Sequence, residues 1–408
     1  MNQLNFDVVL HLAGDQILPN YMGIKLCECL DHVIVVTEQT QWQVERLRRE
    51  LNSGFTLTPL IVTPYKYADI IRKFREGNTW GGRHVGFNIT GGTKPMSAAA
   101  LDFCRETELT PFYIDTKMRK VHFFKEPFNE LAMPPVFSSV DEFIRLGGYS
   151  VASPGLVTSN LSVLGRTELA RLFWKNRWLV CRWNDEFSNA TSRKYQNTKI
   201  VPEPFADAVN QMLDIAVVKC PELEKAWMTT FPPKSDWREA AHFSGGKWFE
   251  EYCLNILRPP LFTGAVDLRF GFKVGWDGVP PTNSPFEEAQ DMDIVFTDGY
   301  DLMIIECKAG KLKQEYIQKL ENLRAVFGGA HGKAILVSVN PPSNKSVALR
   351  IKSSRGVMLV CDEACAKLGR HVDKVKPGVI VGMKKDNEID GSLVASPAKS
   401  TWGRGIIW

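Results

Sequence analysis

Short, unbroken apolar runs alternate with amphipathic stretches from the N-terminus to about residue 125. VVLHLA (Val8–Ala13), HVIVVT (His32–Thr37), LIV (Leu60–Val62) and HVGFNIT (His84–Thr90) read as strands buried on both faces. Each leads into a helical segment: one entered at Pro19, then Gln41–Leu51, Tyr67–Arg75 and the Ala-rich Met96–Cys104. PFYID (Pro111–Asp115) and KVHFF (Lys120–Phe124) follow at the spacing of a late hairpin. Strands alternating with helices predict a parallel, doubly wound α/β sheet, whose ligands bind at the carboxyl ends of the strands.

MPPVFSSV (Met133–Val140), two prolines followed by serines, marks a domain boundary. Beyond it lies a harder stretch with one amphipathic helix, Thr167–Lys175. A different pattern begins near Gly245. GGKWFEEYCLNIL (Gly245–Leu257) places Trp248, Phe249, Tyr252 and Ile256 at helical core spacing and stops before Pro259 and Pro260. Val266–Val274 alternates as a half-buried strand does. DMDIVF (Asp291–Phe296), the polar turn TDGYD and LMIIECK (Leu302–Lys308) predict a hairpin. A helix, Lys313–Phe327, a Gly328-Gly329 stop and the strand KAILVSV (Lys333–Val339) complete an αβββαβ order. The expected units are residues 1–135, an intermediate region 136–240, and residues 241–408.

A length of 408 residues agrees with two or three domains, and 44% hydrophobic with 24% charged residues with a soluble, well-cored protein. No run approaches the ~18 apolar residues of a membrane span. The first apolar stretch has no Lys or Arg ahead of it and is interrupted by Asp7, so it reads as a strand rather than a signal peptide. A cytoplasmic protein with no membrane partner is expected. The nine cysteines include no C-x-x-C pair and no companion histidine cluster, which argues against zinc. A net charge of +4 permits a nucleic-acid partner but requires any basic surface to be local. One candidate is Arg166–Lys199, with eight Lys or Arg against three acids and with Trp174, Trp178 and Trp183 interleaved. Such a run suits a surface that tracks phosphates and stacks bases. A solvated basic face over buried tryptophans is the plainer reading and the favoured one.

The hairpin carries the clearest chemistry. Ile304, Glu306 and Lys308 share one face of their strand, and the turn brings Asp293 opposite that row. Two carboxylates and an ammonium converging on apolar strands are costly to bury unless they pair or bind an ion. Hard oxygen ligands suit Mg²⁺ or Mn²⁺, which acidify a bound water and neutralise phosphate charge. A surface salt bridge is the plain alternative, but the neighbours in MDIVF and MIIECK are buried types. A second feature is NITGGTKPM (Asn88–Met96), where Gly91 and Gly92 admit a close ligand and Thr93 and Lys94 offer donors to an anion. Pro95 after Lys94 departs from the P-loop pattern. AGDQILPN (Ala13–Asn20) ends the first strand in the same manner.

Gly246-x-Trp248-Phe249-Glu250, Asp293 and Glu306-Cys307-Lys308, in that element order, resemble the PD-(D/E)XK nuclease superfamily, with Met292 where proline is usual. That resemblance implies a restriction-endonuclease-like fold with Asp293, Glu306 and the Cys307 backbone carbonyl as Mg²⁺ or Mn²⁺ ligands. It implies Lys308 as catalytic lysine and Glu250 as the helical acid, Glu251 being an adjacent alternative. Tyr316 and Lys319 on the following helix would face the same site. The two N-terminal loops, Gly14-Asp15-Gln16…Pro19-Asn20 and Thr90-Gly91-Gly92-Thr93-Lys94-Pro95-Met96, resemble the Rossmann-like CARF domains of CRISPR-associated proteins. Those domains hold cyclic oligoadenylates and dimerise. The combined resemblance covers residues 1 to about 130 and about 242 to 345. It implies a homodimeric type III CRISPR ancillary nuclease, activated by cyclic tetra-adenylate and cutting DNA, RNA or both. A constitutive restriction- or repair-type endonuclease and a non-catalytic CARF regulator are the competing expectations.

Overall fold

The computed structural model describes residues 4–51, 54–127, 129–157, 166–192, 195, 198, 200–258, 262–276 and 290–382. The expected helix stop at Pro259 and Pro260 and the end of the basic stretch at Lys199 lie outside these residues.

The N-terminal half folds as β1 (Val8–Leu12), α1 (Leu18–Leu26), β2 (Asp31–Val36), α2 (Trp42–Glu50), β3 (Thr56–Ile61), α3 (Tyr67–Glu76), β4 (Val85–Asn88), α4 (Lys94–Thr107), β5 (Thr110–Asp115), β6 (Lys120–Phe123) and β7 (Glu130–Ala132). The sheet order is β3-β2-β1-β4-β5-β6-β7, parallel through β5, with β6 and β7 antiparallel. β1 pairs with β2 on one side and β4 on the other, so the strand order reverses there. The crevice at the carboxyl ends of β1 and β4 is the place where such sheets bind ligands. Every residue of β1 and β4 is buried, as expected for strands covered by helices on both faces.

After α5 (Val140–Gly147), β8 (Ser150–Ser153) and β9 (Leu156–Val157), a helical layer follows: α6 (Thr167–Lys175), α7 (Arg177–Val180), α8 (Asn184–Ala190), α9 (Glu203–Lys219), α10 (Pro221–Thr230) and α11 (Trp237–His242). The remaining elements are α12 (Trp248–Ile256), β10 (Asp267–Gly275), β11 (Gln290–Thr297), β12 (Leu302–Lys308), α13 (Gln314–Leu323), β13 (Gly332–Ser338), α14 (Lys345–Ser353), β14 (Val357–Cys361), α15 (Leu368–Val372) and β15 (Ile380–Val381). They form a second sheet of order β15-β14-β13-β12-β11-β10-β8. β10, β11 and β12 are antiparallel, and β12 to β15 parallel. β8 closes the antiparallel edge, so the intermediate region is woven into the C-terminal sheet.

The helical layer covers one face of this sheet: Phe173, Trp227, Trp248 and Phe249 pack in one cluster with Phe270, Ile294, Ile305 and Val337. α13 and α5 cover the other face, where Ile317, Leu320 and Phe143 meet Phe272, Val295, Ile304 and Leu336. That second cluster runs on into Val9 and Phe112 of the first sheet and Tyr21 of α1, so the two halves share apolar packing.

Candidate active site

A break in strand pairing positions the first carboxylate. β10 and β11 pair Phe270 with Ile294 and Phe272 with Met292, skipping Gly271, which has a φ of +64°. Phe270 and Ile294 face the helical layer, whereas Phe272 and Met292 face α13. Asp293 stands where this alternation resets, one step beyond the last paired residues of β11 and β12, Ile294 and Ile305. The opened ladder leaves the Cys307 amide without a strand acceptor, and it donates to Asp293 Oδ2 at 2.7 Å.

Glu306 and Lys308 follow on β12. Lys308 Nζ lies 2.7 Å from Glu306 Oε1 and 3.8 Å from Asp293 Oδ2, and it stands 5.1 Å from the Tyr316 ring centre. Lys319, from α13, donates to both Glu306 oxygens at 3.0 Å. Burial, and then the negative charges of Glu250 and Glu306, push the Asp293 carboxyl up to about 7, against the pull of Lys308 and the Cys307 amide. Burial disfavours the Lys308 cation, but Asp293 and Glu306 outweigh it and hold its pKa above the ordinary lysine value. Lys308 is therefore a fixed cation at neutral pH and not a proton acceptor.

The two adjacent acids of α12 part company. Glu250 faces the cluster: its charge acts on Asp293, and Lys247 Nζ holds its Oε2 at 2.6 Å. Glu251 turns to the intermediate region, where Arg166 meets its Oε1 at 2.6 Å. Lys247 was not singled out from sequence, although it sits in the same Gly-Gly-Lys-Trp run; helical i,i+3 spacing from Glu250 was the available signal.

Among the described residues no group of three His, Cys, Asp or Glu side chains is disposed to hold a metal by itself. The oxygen atoms available there are the carboxylates of Asp293 and Glu306. Such a pair suits a hard divalent cation that keeps several waters. Burial first, and then the charges of Glu250 and Glu306, disfavour the Asp293 carboxylate, and a bound cation would favour it. The residues fit the group.

At the other site, the loops after β1 and β4 touch. A Cβ on Gly91 would fall 2.1 Å from the Leu12 carbonyl oxygen, and one on Gly14 3.0 Å from the Gly92 amide. Gly92 has a φ of +76°. Thr93 caps α4, accepting from the Met96 amide at 3.4 Å. Thr90 Oγ1 donates to Asn88 Oδ1 at 2.6 Å and accepts from the Ile114 amide at 2.8 Å. Gly14, Thr90, Gly91, Gly92 and Thr93 are half-buried on the ledge, with Asp15, Gln16 and Lys94 exposed. Asn20 and Met96 lie in the interior, Asn20 donating to Gln43 at 3.4 Å, while the Pro19 carbonyl accepts from Asn88 at 3.4 Å. These three support the ledge from beneath. Gln16 lines a cleft with Ala325, Val326, Phe327 and Gly329 of the C-terminal half.

Residues 8–132 match the family described as the Card1 CARF domain, and residues 237–378 the family described as Card1-like, endonuclease domain. Among solved structures, Can2 from Sulfobacillus thermosulfidooxidans in complex with cyclic tetra-adenylate is similar at a TM-score of 0.69 and 19% identity, covering 91% of this chain and 99% of that one. Protein VC1899 from Vibrio cholerae is similar at 0.68 and 16%, covering 90% and 96%. No curated protein matches the chain.

Proposed function

This chain joins a Card1-type CARF domain to a Card1-like endonuclease domain, and we propose that it is a metal-dependent nuclease switched on by a cyclic oligoadenylate. The observation that carries the reading is the convergence of Glu250, Asp293, Glu306 and Lys308 at the broken ladder of β10 and β11. Asp293, Glu306 and the Cys307 carbonyl would hold Mg²⁺ or Mn²⁺. Such an ion supplies a Lewis acid for the phosphate and a water of lowered pKa. Lys308, kept protonated, donates to the phosphate oxygens and stabilises the charge that develops as the phosphodiester is attacked. Lys319 fixes the Glu306 carboxylate, and Lys247 fixes Glu250, so each acid enters the reaction with its rotamer set.

The activator would sit on the ledge formed by Gly14, Asp15, Thr90, Gly91, Gly92, Thr93 and Lys94, its phosphates near the N-terminus of α4. Cyclic tetra-adenylate is the proposed messenger, because the similar Can2 structure holds it and its two-fold symmetry suits a homodimer with two CARF domains facing one ring. The nucleic acid cut is DNA, RNA or both, without sequence preference. The setting is type III CRISPR defence in the cytoplasm; no helix among the described residues is long and apolar enough to cross a membrane.

The test incubates the protein with Mg²⁺ or Mn²⁺, single- and double-stranded DNA and RNA, and each ring size of cyclic oligoadenylate. Cleavage that needs both the metal and one ring size is expected. Glu306→Gln should bind the ring and cut nothing, whereas Lys94→Ala should bind metal and remain idle. Equal cutting with and without every ring would overturn the switch, and metal-dependent cutting by Glu306→Gln would place the centre elsewhere.

A further inference from the structure

The basic, tryptophan-rich stretch of the intermediate region divides in the structure. Trp174 is buried at 7% exposure and stacks on Tyr252 in the helical core, at 4.7 Å between ring centres. Trp178, one turn later, is 47% exposed. The Arg182 guanidinium and Lys219 Nζ each lie 5.6 Å from the centre of its ring. Arg182, Lys219 and the nearby Lys311 are exposed, and none is in an ion pair among the described residues. Trp42 and Trp276 are exposed to a similar degree, but Trp178 carries over its ring two cations that form no ion pair among the described residues.

The position of this face gives it meaning. Trp178, Arg182 and Asn340 line one cleft, and Arg182, Lys311 and Asn340 line a second of about 410 Å³ that continues it. Lys311 stands three residues after Lys308, and Asn340 follows Val339, whose amide donates to the Lys308 carbonyl at 3.1 Å. Asn184 of α8 donates to the Ala309 carbonyl at 3.1 Å, tying the helical layer to the residue next to the catalytic lysine. The groove thus starts at the carboxyl edge of β12 and β13, a few residues beyond Lys308, and runs out to Trp178. Asp185 is the one acid among its described lining residues, and Arg177, which lines the outer cleft, is paired with Asp362 and Glu363.

We propose that this groove is the track of the strand being cut, with an unpaired base stacked on Trp178 and the flanking phosphates on Arg182, Lys219 and Lys311. The inference rests on the nuclease reading for the identity of the occupant. Stacking on an aromatic face is tolerant of sequence, since every base has such a face, and it requires the base to be out of a duplex. Phosphate contacts by three cations make the affinity fall with salt.

The experiment uses the full chain carrying Glu306→Gln, with activator and metal present, and a fluorescein-labelled oligothymidylate read by anisotropy. Trp178→Ala should weaken binding at least about tenfold, the size of one base–aromatic contact, and Trp178→Phe should restore most of it. The double variant Arg182→Ala, Lys311→Ala should weaken binding and flatten its salt dependence. On the active background Trp178→Ala should raise KM with kcat preserved, and its thermal unfolding should match that of the parent. Unlabelled duplex should compete poorly. Unchanged binding and KM in Trp178→Ala would overturn the proposal and leave the nuclease reading intact. Binding that depends on Trp178 in a chain that cuts nothing would keep the groove and reject the nuclease reading. A change in sedimentation with Trp178→Ala, without a change in oligonucleotide binding, would give the face to a second copy of the chain and overturn the proposal.

Discussion

Glu250 and Glu251 occupy consecutive positions of one helix and have opposite surroundings. Glu251 is 1% exposed, and burial raises its carboxyl to about 7 although Arg166 pulls the other way. Its second oxygen has no hydrogen-bond partner. A carboxyl whose folded pKa exceeds its unfolded value binds more protons folded than unfolded between those values, so its contribution to stability falls as pH rises from about 4.5 to about 7. The difference in Tm between the parent and Glu251→Gln should therefore shift against the parent across that window, and scanning calorimetry at pH 5 and pH 7.5 checks it. No pH dependence of the difference would mean that Arg166 fully offsets the burial. Sequence left the choice of acid open for a physical reason: adjacent helical positions lie about 100° apart, and either can face the strands until a tertiary partner claims one. Arg166, which claims Glu251, is far away in the chain. That Asp293, Glu306 and Lys308 would converge was legible because strand alternation is a local rule, and that Lys319 would reach Glu306 because α13 follows directly. Its contact predicts that Lys319→Met lowers cleavage by roughly tenfold while leaving activator affinity unchanged, the loss expected when one charged hydrogen bond to a ligand carboxylate is removed.

Among the elements, the parallel sheet and the αβββαβ order were readable from periodicity, with ends displaced by a few residues. The strand expected at Leu60–Val62 runs instead over Thr56–Ile61, an edge strand with five of its six residues at least partly exposed, so hydrophobicity understated it. β8 had no signal because its pairing with β10 is distant in sequence, and pairing of that kind is set by tertiary contacts. The loop after β4 illustrates the opposite case. Its two glycines invited a ligand reading from sequence, and the structure adds a steric reason for the first: the Gly91 Cβ position falls on the Leu12 carbonyl oxygen. Gly91→Ala must push the β1 and β4 loops apart. It should weaken cyclic oligoadenylate binding by more than tenfold, with metal binding at Asp293 and Glu306 preserved, as measured by titration calorimetry for each ligand. Gly271→Ala meets no atom within 4 Å and bears only the strain of its positive φ, about 1 kcal/mol. Its effect should be a small loss of stability and a misplaced Asp293, read as reduced kcat with the activator response unchanged.

At the scale of the whole molecule, the two sites are joined by contacts that sequence could not reveal, because each crosses from one sheet to the other. The turn between β11 and β12, which carry Asp293 and Glu306, is gripped by the N-terminal half. Arg119, at the β5–β6 turn, donates to Asp298 Oδ2 at 2.6 Å and lies 4.1 Å over the Tyr300 ring. Tyr300 donates its hydroxyl to the Met133 carbonyl at 2.9 Å, and the Gly299 carbonyl accepts from the amides of Val136 and Phe137. If the proposed activator rearranges the first sheet, these contacts give that movement a direct hold on the β11–β12 hairpin. Coupling of this kind is reciprocal: if the activator promotes the working arrangement, metal and uncut nucleic acid must tighten the activator by the same factor. In the parent, adding Ca²⁺ and a non-hydrolysable oligonucleotide should therefore lower the Kd for the ring, by roughly 5- to 150-fold for an ordinary coupling. Arg119→Ala removes the ion pair and the ring contact without touching either ligand. Its Kd for the ring alone should stay within a few-fold of the parent, the tightening by metal and oligonucleotide should shrink, and cleavage at saturating activator should drop in proportion. Retention of the full reciprocal effect would place the coupling elsewhere, with the cleft that Gln16 lines beside Phe327 and Gly329 the next place to probe.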